Sequence, residues 1–164
     1  MSDTPALSLD RILARAAESV VHSCSVQLNM NLTDKGAAPD WRDKARYSSH
    51  IPFTSSEGTA WNLVVGADEE TALTLTRKLF MMDEDEPCET EDTADALGEV
   101  VNIAGGVLRA KLTETVPGLQ MGLPLFVEER SCMEELGEGI TTMASVLAEE
   151  NGAQIYVGIL WKQG

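Results

Sequence analysis

The sequence predicts an α+β domain in which long helices pack on an antiparallel sheet, and three observations carry that prediction. Two segments, about residues 8–24 and 93–113, repeat apolar residues with the period of a helix. The stretches 140–148 and 153–161 alternate like strands on either side of Asn151-Gly152, the pair a tight hairpin turn prefers. The plan of helix, strand and two-stranded hairpin also occurs twice, in units of about residues 7–66 and 92–162. The 164 residues therefore read as one domain, 1–164, with an internal pseudo-repeat.

Taken in order, the first helix places Leu9, Ile12, Leu13, Ala16 and Val20 on one face, with Ser8 or Asp10 as its cap. Residues 25–34 alternate Val26, Leu28, Met30 and Leu32, the pattern of a half-buried strand. Residues 35–44, polar and holding Gly36 and Pro39, read as a loop. Two strands follow, 47–54 and 59–65, turning at Glu57-Gly58, and Pro52 pushes the first towards a sheet edge because it cannot donate to a ladder. Residues 69–82 fit a helix carrying Leu73, Leu75, Leu79 and Phe80. Residues 83–92 are an acidic connector containing Pro87, and the second long helix follows. Beyond Pro117-Gly118, residues 119–128 read as one strand, and the C-terminal hairpin closes the chain.

Composition narrows the function. Twelve Lys and Arg against 27 Asp and Glu give a net charge of −15, which argues against a nucleic-acid or anionic-membrane partner. The excess is concentrated: residues 83–99 hold nine acids and no base, residues 128–150 seven acids and one arginine, and the rest is neutral. No apolar run approaches a membrane span, and the N-terminus lacks a basic region followed by an apolar core. Cys24, Cys88 and Cys132, an odd number widely spaced, suit free thiols in a reducing cytosol, so a cytoplasmic location is expected. His22 and His50 have no neighbours at metal-ligand spacing, and Gly137–Gly139 reads as a turn without phosphate-binding context, so neither a metal nor a cofactor of its own is expected.

The second long helix is where chemistry is expected. At about 100° per residue, Leu97, Val101, Ala104, Leu108 and Leu112 fall within roughly 80° of arc and form the core face. Asp95, Glu99, Asn102 and Gly106 cluster away from it. Asparagine is a poor mid-helix residue, and Gly105-Gly106 weakens the helix by about 1 kcal/mol per glycine relative to alanine. The glycines either leave the surface low for a partner or permit close helix–sheet packing. A Glu-x-x-Asn pair by itself also fits an ordinary solvated helix face.

Glu99-x-x-Asn102-x-x-Gly105, preceded by Asp95, resembles the signature helix of the CheC/CheX family of chemotaxis phosphatases, which includes flagellar switch proteins of the FliM and FliY type. Asp95, Glu99 and Asn102 match the family spacing, and Pro124 follows Asn102 after 21 residues, one fewer than the family pattern. The repeated helix–strand–hairpin plan is similar too. In the first helix Val21 stands where an asparagine three residues after Glu18 would complete a second motif, which implies a single active surface, closer to CheX than to CheC. The resemblance implies hydrolysis of the aspartyl phosphate of a CheY-like response regulator in chemotaxis-type two-component signalling. In it Asn102 places the water and Glu99 meets a cation of the partner. Asp95, Gly105 and Gly106 then serve docking, and Mg²⁺ is carried by the partner receiver domain. It also allows a homodimer joined through sheet edges. The alternatives are a non-catalytic module of the same fold that docks a response regulator or flagellar switch component, and an acidic scaffold with no signalling role.

Overall fold

The computed structural model describes residues 8–128, 140–150 and 152–162. The first helix, α1, spans Leu9–Leu28. Ser8 is its cap, with its hydroxyl accepting from the Arg11 N–H at 3.4 Å. Here the expected strand over 25–34 is corrected: Ala16, Val20, Cys24 and Leu28, spaced four apart and all buried, carry the helical stripe straight through it. The helix stops only where Asn29 turns left-handed at φ 51° and the Met30 N–H returns to the Cys24 carbonyl at 3.1 Å. Within the extension Val26 is 66% exposed, so its place in the alternating pattern had no core to face.

The region expected to be a loop holds two short elements. Strand β1, Thr33–Ala37, is exposed throughout and pairs with a later strand. An edge strand held by backbone hydrogen bonds needs no apolar alternation, so its sequence carries no strand signal. Helix α2, Trp41–Lys44, buries Trp41 and directs its Nε1–H to Thr142 Oγ1 at 3.2 Å.

Strands β2, Tyr47–Thr54, and β3, Ala60–Ala67, form the expected hairpin, and α3 spans Glu69–Leu79 with Asp68 accepting from the Thr71 N–H at 2.8 Å. The long helix α4 spans Thr90–Leu112. It starts within the acidic connector because Asp92 turns back onto the Glu89 N–H at 3.0 Å, and acids in a first turn complement the helix dipole. The single strand expected over 119–128 is two, β4 (Gln120–Met121) and β5 (Leu125–Glu128), followed by β6 (Ile140–Ala148) and β7 (Gln154–Lys162). At the β6–β7 turn Gly152 takes φ 97°, as a tight turn requires; Asn151, Cys132 and Gly137–Gly139 lie outside the described residues.

The strands form one antiparallel sheet in the order β1-β6-β7-β3-β2-β4, with β5 also on β2. Pro52 therefore does not mark an edge. It lies in the gap between β4, which reaches Phe53, and β5, which stops at His50. Its carbonyl accepts from the Gly122 N–H on that side at 2.8 Å, so its missing donor coincides with the place where the neighbouring ladder is broken. Helices α1, α3 and α4 bury one face of the sheet in a single core that includes Phe53, Trp61, Leu97, Leu108 and Ile159. A smaller cluster built on Trp41, Val64, Tyr156 and Leu160 occupies the other face, so the mixed α+β architecture has helices on antiparallel sheet as predicted.

His50 is buried on β2 beside Ser48, its Nε2 lying 3.0 Å from the serine hydroxyl. Burial pushes its imidazole down to about 4. The unfolded chain takes up this proton near pH 6.5 and the folded one only near 4, so stability falls as pH drops between those values, by at most about 1.4 kcal/mol per pH unit. Urea denaturation across this window should show that loss, and His50→Gln should flatten it; identical slopes for the two proteins would exclude His50 as its source.

Candidate active site

Helix α4 presents the predicted stripe. Leu97, Val101, Ala104, Leu108 and Leu112 are buried against the sheet and α1, while Asp95, Glu99, Asn102 and Gly106 are exposed together. Glu99 and Asn102 are one turn apart, a rise of about 4.5 Å along the axis. Among the described residues none of the side chains of Asp95, Glu99 and Asn102 makes a hydrogen bond or ion pair, so their full capacity faces outward.

The helix beneath them is fixed on several sides. Lys111 Nζ reaches Glu18 Oε2 of α1 at 3.2 Å, and Arg109 Nε donates to the Leu119 carbonyl at 3.1 Å. The glycines, expected to act together as a low docking surface, part company. Gly105 is buried: a side chain there would meet Met121 Sδ at 2.8 Å and Ile51 and Phe53 at 3.5 Å. Its partner-binding role is therefore corrected; lying about 100° round the axis from Gly106, it borders the core face and lets α4 approach β2 and β4. Gly106 has open space around it and keeps the exposed face flat.

Pro124 does lie at this helix, its Cβ 3.9 Å from where a side chain on Gly98 would begin. The seat of Pro124 against α4 has a single sequence signal, the proline downstream of Asn102. The corresponding stretch of α1 differs in kind. Glu18 accepts from both Lys111 and Arg15 at 3.2 Å, and these two partners, Lys111 first, hold its carboxyl below the usual range. Val21 is half-buried, so α1 offers neither the uncommitted carboxylate nor the amide.

Other chemistry finds little footing. No group of three His, Cys, Asp or Glu among the described residues is arranged to hold a metal ion. Cys24 is buried, and desolvation, followed by the Glu149 charge, pushes its thiol up to about 12, which leaves no thiolate for nucleophilic work near neutrality. No described helix is long and apolar enough to cross a membrane.

This fold and exposed stripe define a class, the CheC/CheX-like proteins. A chain of the CheX–CheY–BeF3–Mg²⁺ complex from Borrelia burgdorferi superimposes with a TM-score of 0.75 at 20% identity, covering 96% of this chain and 99% of that one. The CheX of Desulfovibrio desulfuricans gives 0.72 at 17% identity over 92% and 99% of the two chains. FliY of Thermotoga maritima gives 0.64 at 15% identity over 99% and 92%. No curated protein sequence matches the chain. The sequence model of the family "Chemotaxis phosphatase CheX" matches residues 47–149, and the chain belongs to that family.

The two glycines should separate by experiment. Gly106→Ala, with nothing to clash, should raise the free energy of unfolding by up to about 1 kcal/mol, whereas Gly105→Leu should lower it by roughly 1–3 kcal/mol through overpacking. Urea melts measure both; a destabilised Gly106→Ala would contradict the open face.

Proposed function

We propose that the protein is a phosphatase for the aspartyl phosphate of a CheY-like response regulator, in which Asn102 places the attacking water and Glu99 sets the docking register. The observation that carries this reading is the exposed, uncommitted Glu99–Asn102 pair on a helix fixed from behind, in a chain of the chemotaxis phosphatase CheX family. The likeness to a chain from a complex that contains CheY supports a receiver domain as partner.

An acyl phosphate is already activated, so hydrolysis mainly lacks a water in line with the leaving carboxylate oxygen. The water oxygen forms the new bond to phosphorus as the bond to the aspartate oxygen breaks, yielding the free carboxylate and inorganic phosphate. The water's proton passes to phosphate or solvent. A carboxamide suits the positioning role because Oδ1 accepts from the water, Nδ2 can donate to it, and no charge opposes the phosphoryl group. A rigid helix is the right support, since misplacement by an ångström is costly. Glu99 meets a cation of the receiver, its active-site lysine, in a charge-assisted contact. Asp95 adds a second docking contact and Gly106 lets the surfaces close. Mg²⁺ comes with the receiver, and in this reading the chain has no cofactor of its own. The reaction belongs in the cytoplasm, and strand β1, at one end of the sheet, is an edge through which a homodimer would form.

Asn102→Ala should slow receiver dephosphorylation by about 100–1000-fold while leaving affinity for a beryllofluoride-activated receiver nearly unchanged, read by phosphate release and calorimetry. Equal decay with and without the protein, despite binding, would leave only a docking module. Glu99→Lys should weaken the complex, and unchanged affinity would remove Glu99 from the interface. Because nine acids in residues 83–99 lead into the site, added salt should slow association, as stopped-flow mixing would show.

A further inference from the structure

Residues 122–124 link β4 to β5 as a strap running beside α4 in the opposite direction. Nearly every part of the strap and its approach is tied down. Upstream, the Leu119 carbonyl takes the Arg109 hydrogen bond at 3.1 Å. Met121 occupies the space over Gly105, and the Gly122 N–H donates to Pro52 O at 2.8 Å. Gly122 has no room for a side chain, because one would meet Pro52 Cγ at 2.6 Å. Pro124 rests against Gly98. Between these anchors Leu123 is 85% exposed.

Its position gives that exposure meaning. Gly98 and Gly105 lie within about 20° of each other around α4, and Asn102 is about 40° from Gly98. The strap therefore borders the Asn102 side of the exposed stripe, and Leu123 falls between the residues that touch Gly105 and Gly98, level with the turn that carries Asn102. Single exposed leucines are common on protein surfaces and need no function. The other exposed large apolar side chains among the described residues are Val26 near the C-terminal end of α1, Phe80 and Met81 just beyond α3, and Leu125, 58% exposed at the start of β5 two residues after Leu123. Unlike Val26, Phe80 and Met81, Leu123 is held out by a fixed backbone beside the polar stripe of α4, and Leu125 extends the apolar rim away from it.

We propose that Leu123 is an apolar docking and specificity contact that packs against the receiver domain beside its phosphoaspartate, an inference that rests on the phosphatase reading above. The acidic residues meet the receiver's cations, and Leu123 covers apolar surface at the rim, excluding water from one side of the reacting group. The contact contributes to binding and leaves the placement of water to Asn102.

Steady-state phosphate release from the phosphorylated receiver tests this. Leu123→Ser should raise KM about tenfold with kcat changed less than twofold, and should raise the Kd for the beryllofluoride-activated receiver in parallel. Leu123→Met should restore both, and urea melts of all three proteins should coincide because the side chain is exposed. An unchanged KM and Kd in Leu123→Ser, alongside the expected large loss of turnover in Asn102→Ala, would overturn the Leu123 contact and leave the phosphatase reading standing. Absence of any turnover by the wild-type protein would overturn both.

Discussion

The close approach of α4 to the sheet at Gly105 is the constraint on which the rest of the molecule depends. A side chain at that position would begin 2.8 Å from Met121 Sδ, with Ile51 and Phe53 already at contact distance, so anything larger than hydrogen requires Met121 to move. Because the helix comes down this far, Leu97, Val101, Ala104 and Leu108 reach the common core, and β4 can pass along the flank of α4. Dense packing on one side of a helix also fixes what the other side presents. Asp95, Glu99 and Asn102 owe their fixed placement to a face they do not belong to.

The two long helices show how one scaffold gives similar residues different work. Glu18 and Glu99 are both exposed glutamates near the middle of a long helix. Glu18 is satisfied within the molecule, bridging Arg15 and Lys111 and joining α1 to α4. Exposed ion pairs of this kind contribute little stability, but they do occupy the carboxylate. Glu99 has no such cation among its described neighbours, so its charge remains directed at whatever approaches α4.

The exposed face of α4 was legible in the sequence because a helix of 23 residues carries its own periodicity. The core and outer stripes follow from local spacing alone. Gly105 was harder, since a residue on the border between stripes is decided by what packs opposite it, and that partner, Met121, comes from a distant strand. The same reason hid the strap: neither the seat of Pro124 on Gly98 nor the gap beside Pro52 exists until β4 and β5 have paired with β2. Strand β1 was unreadable for another reason, as its backbone bonds to β6 place no demand on its side chains. The false strand over 25–34 came from a short alternation that the four-residue stripe of α1 overrides.

The strand order has a consequence for how the chain reaches this state. In β1-β6-β7-β3, the hairpin that comes last in sequence is inserted between two strands that come early. During synthesis β1 and β3 emerge with nothing to bridge them, and the core face of α1 waits for Ile155, Val157 and Ile159 on the final strand. Pairings between such distant segments require large loops to close before they are rewarded, which slows folding. A nascent chain of this design exposes strand edges and apolar surface until its C-terminal hairpin is released, and that interval is when it is most open to aggregation or to chaperone capture.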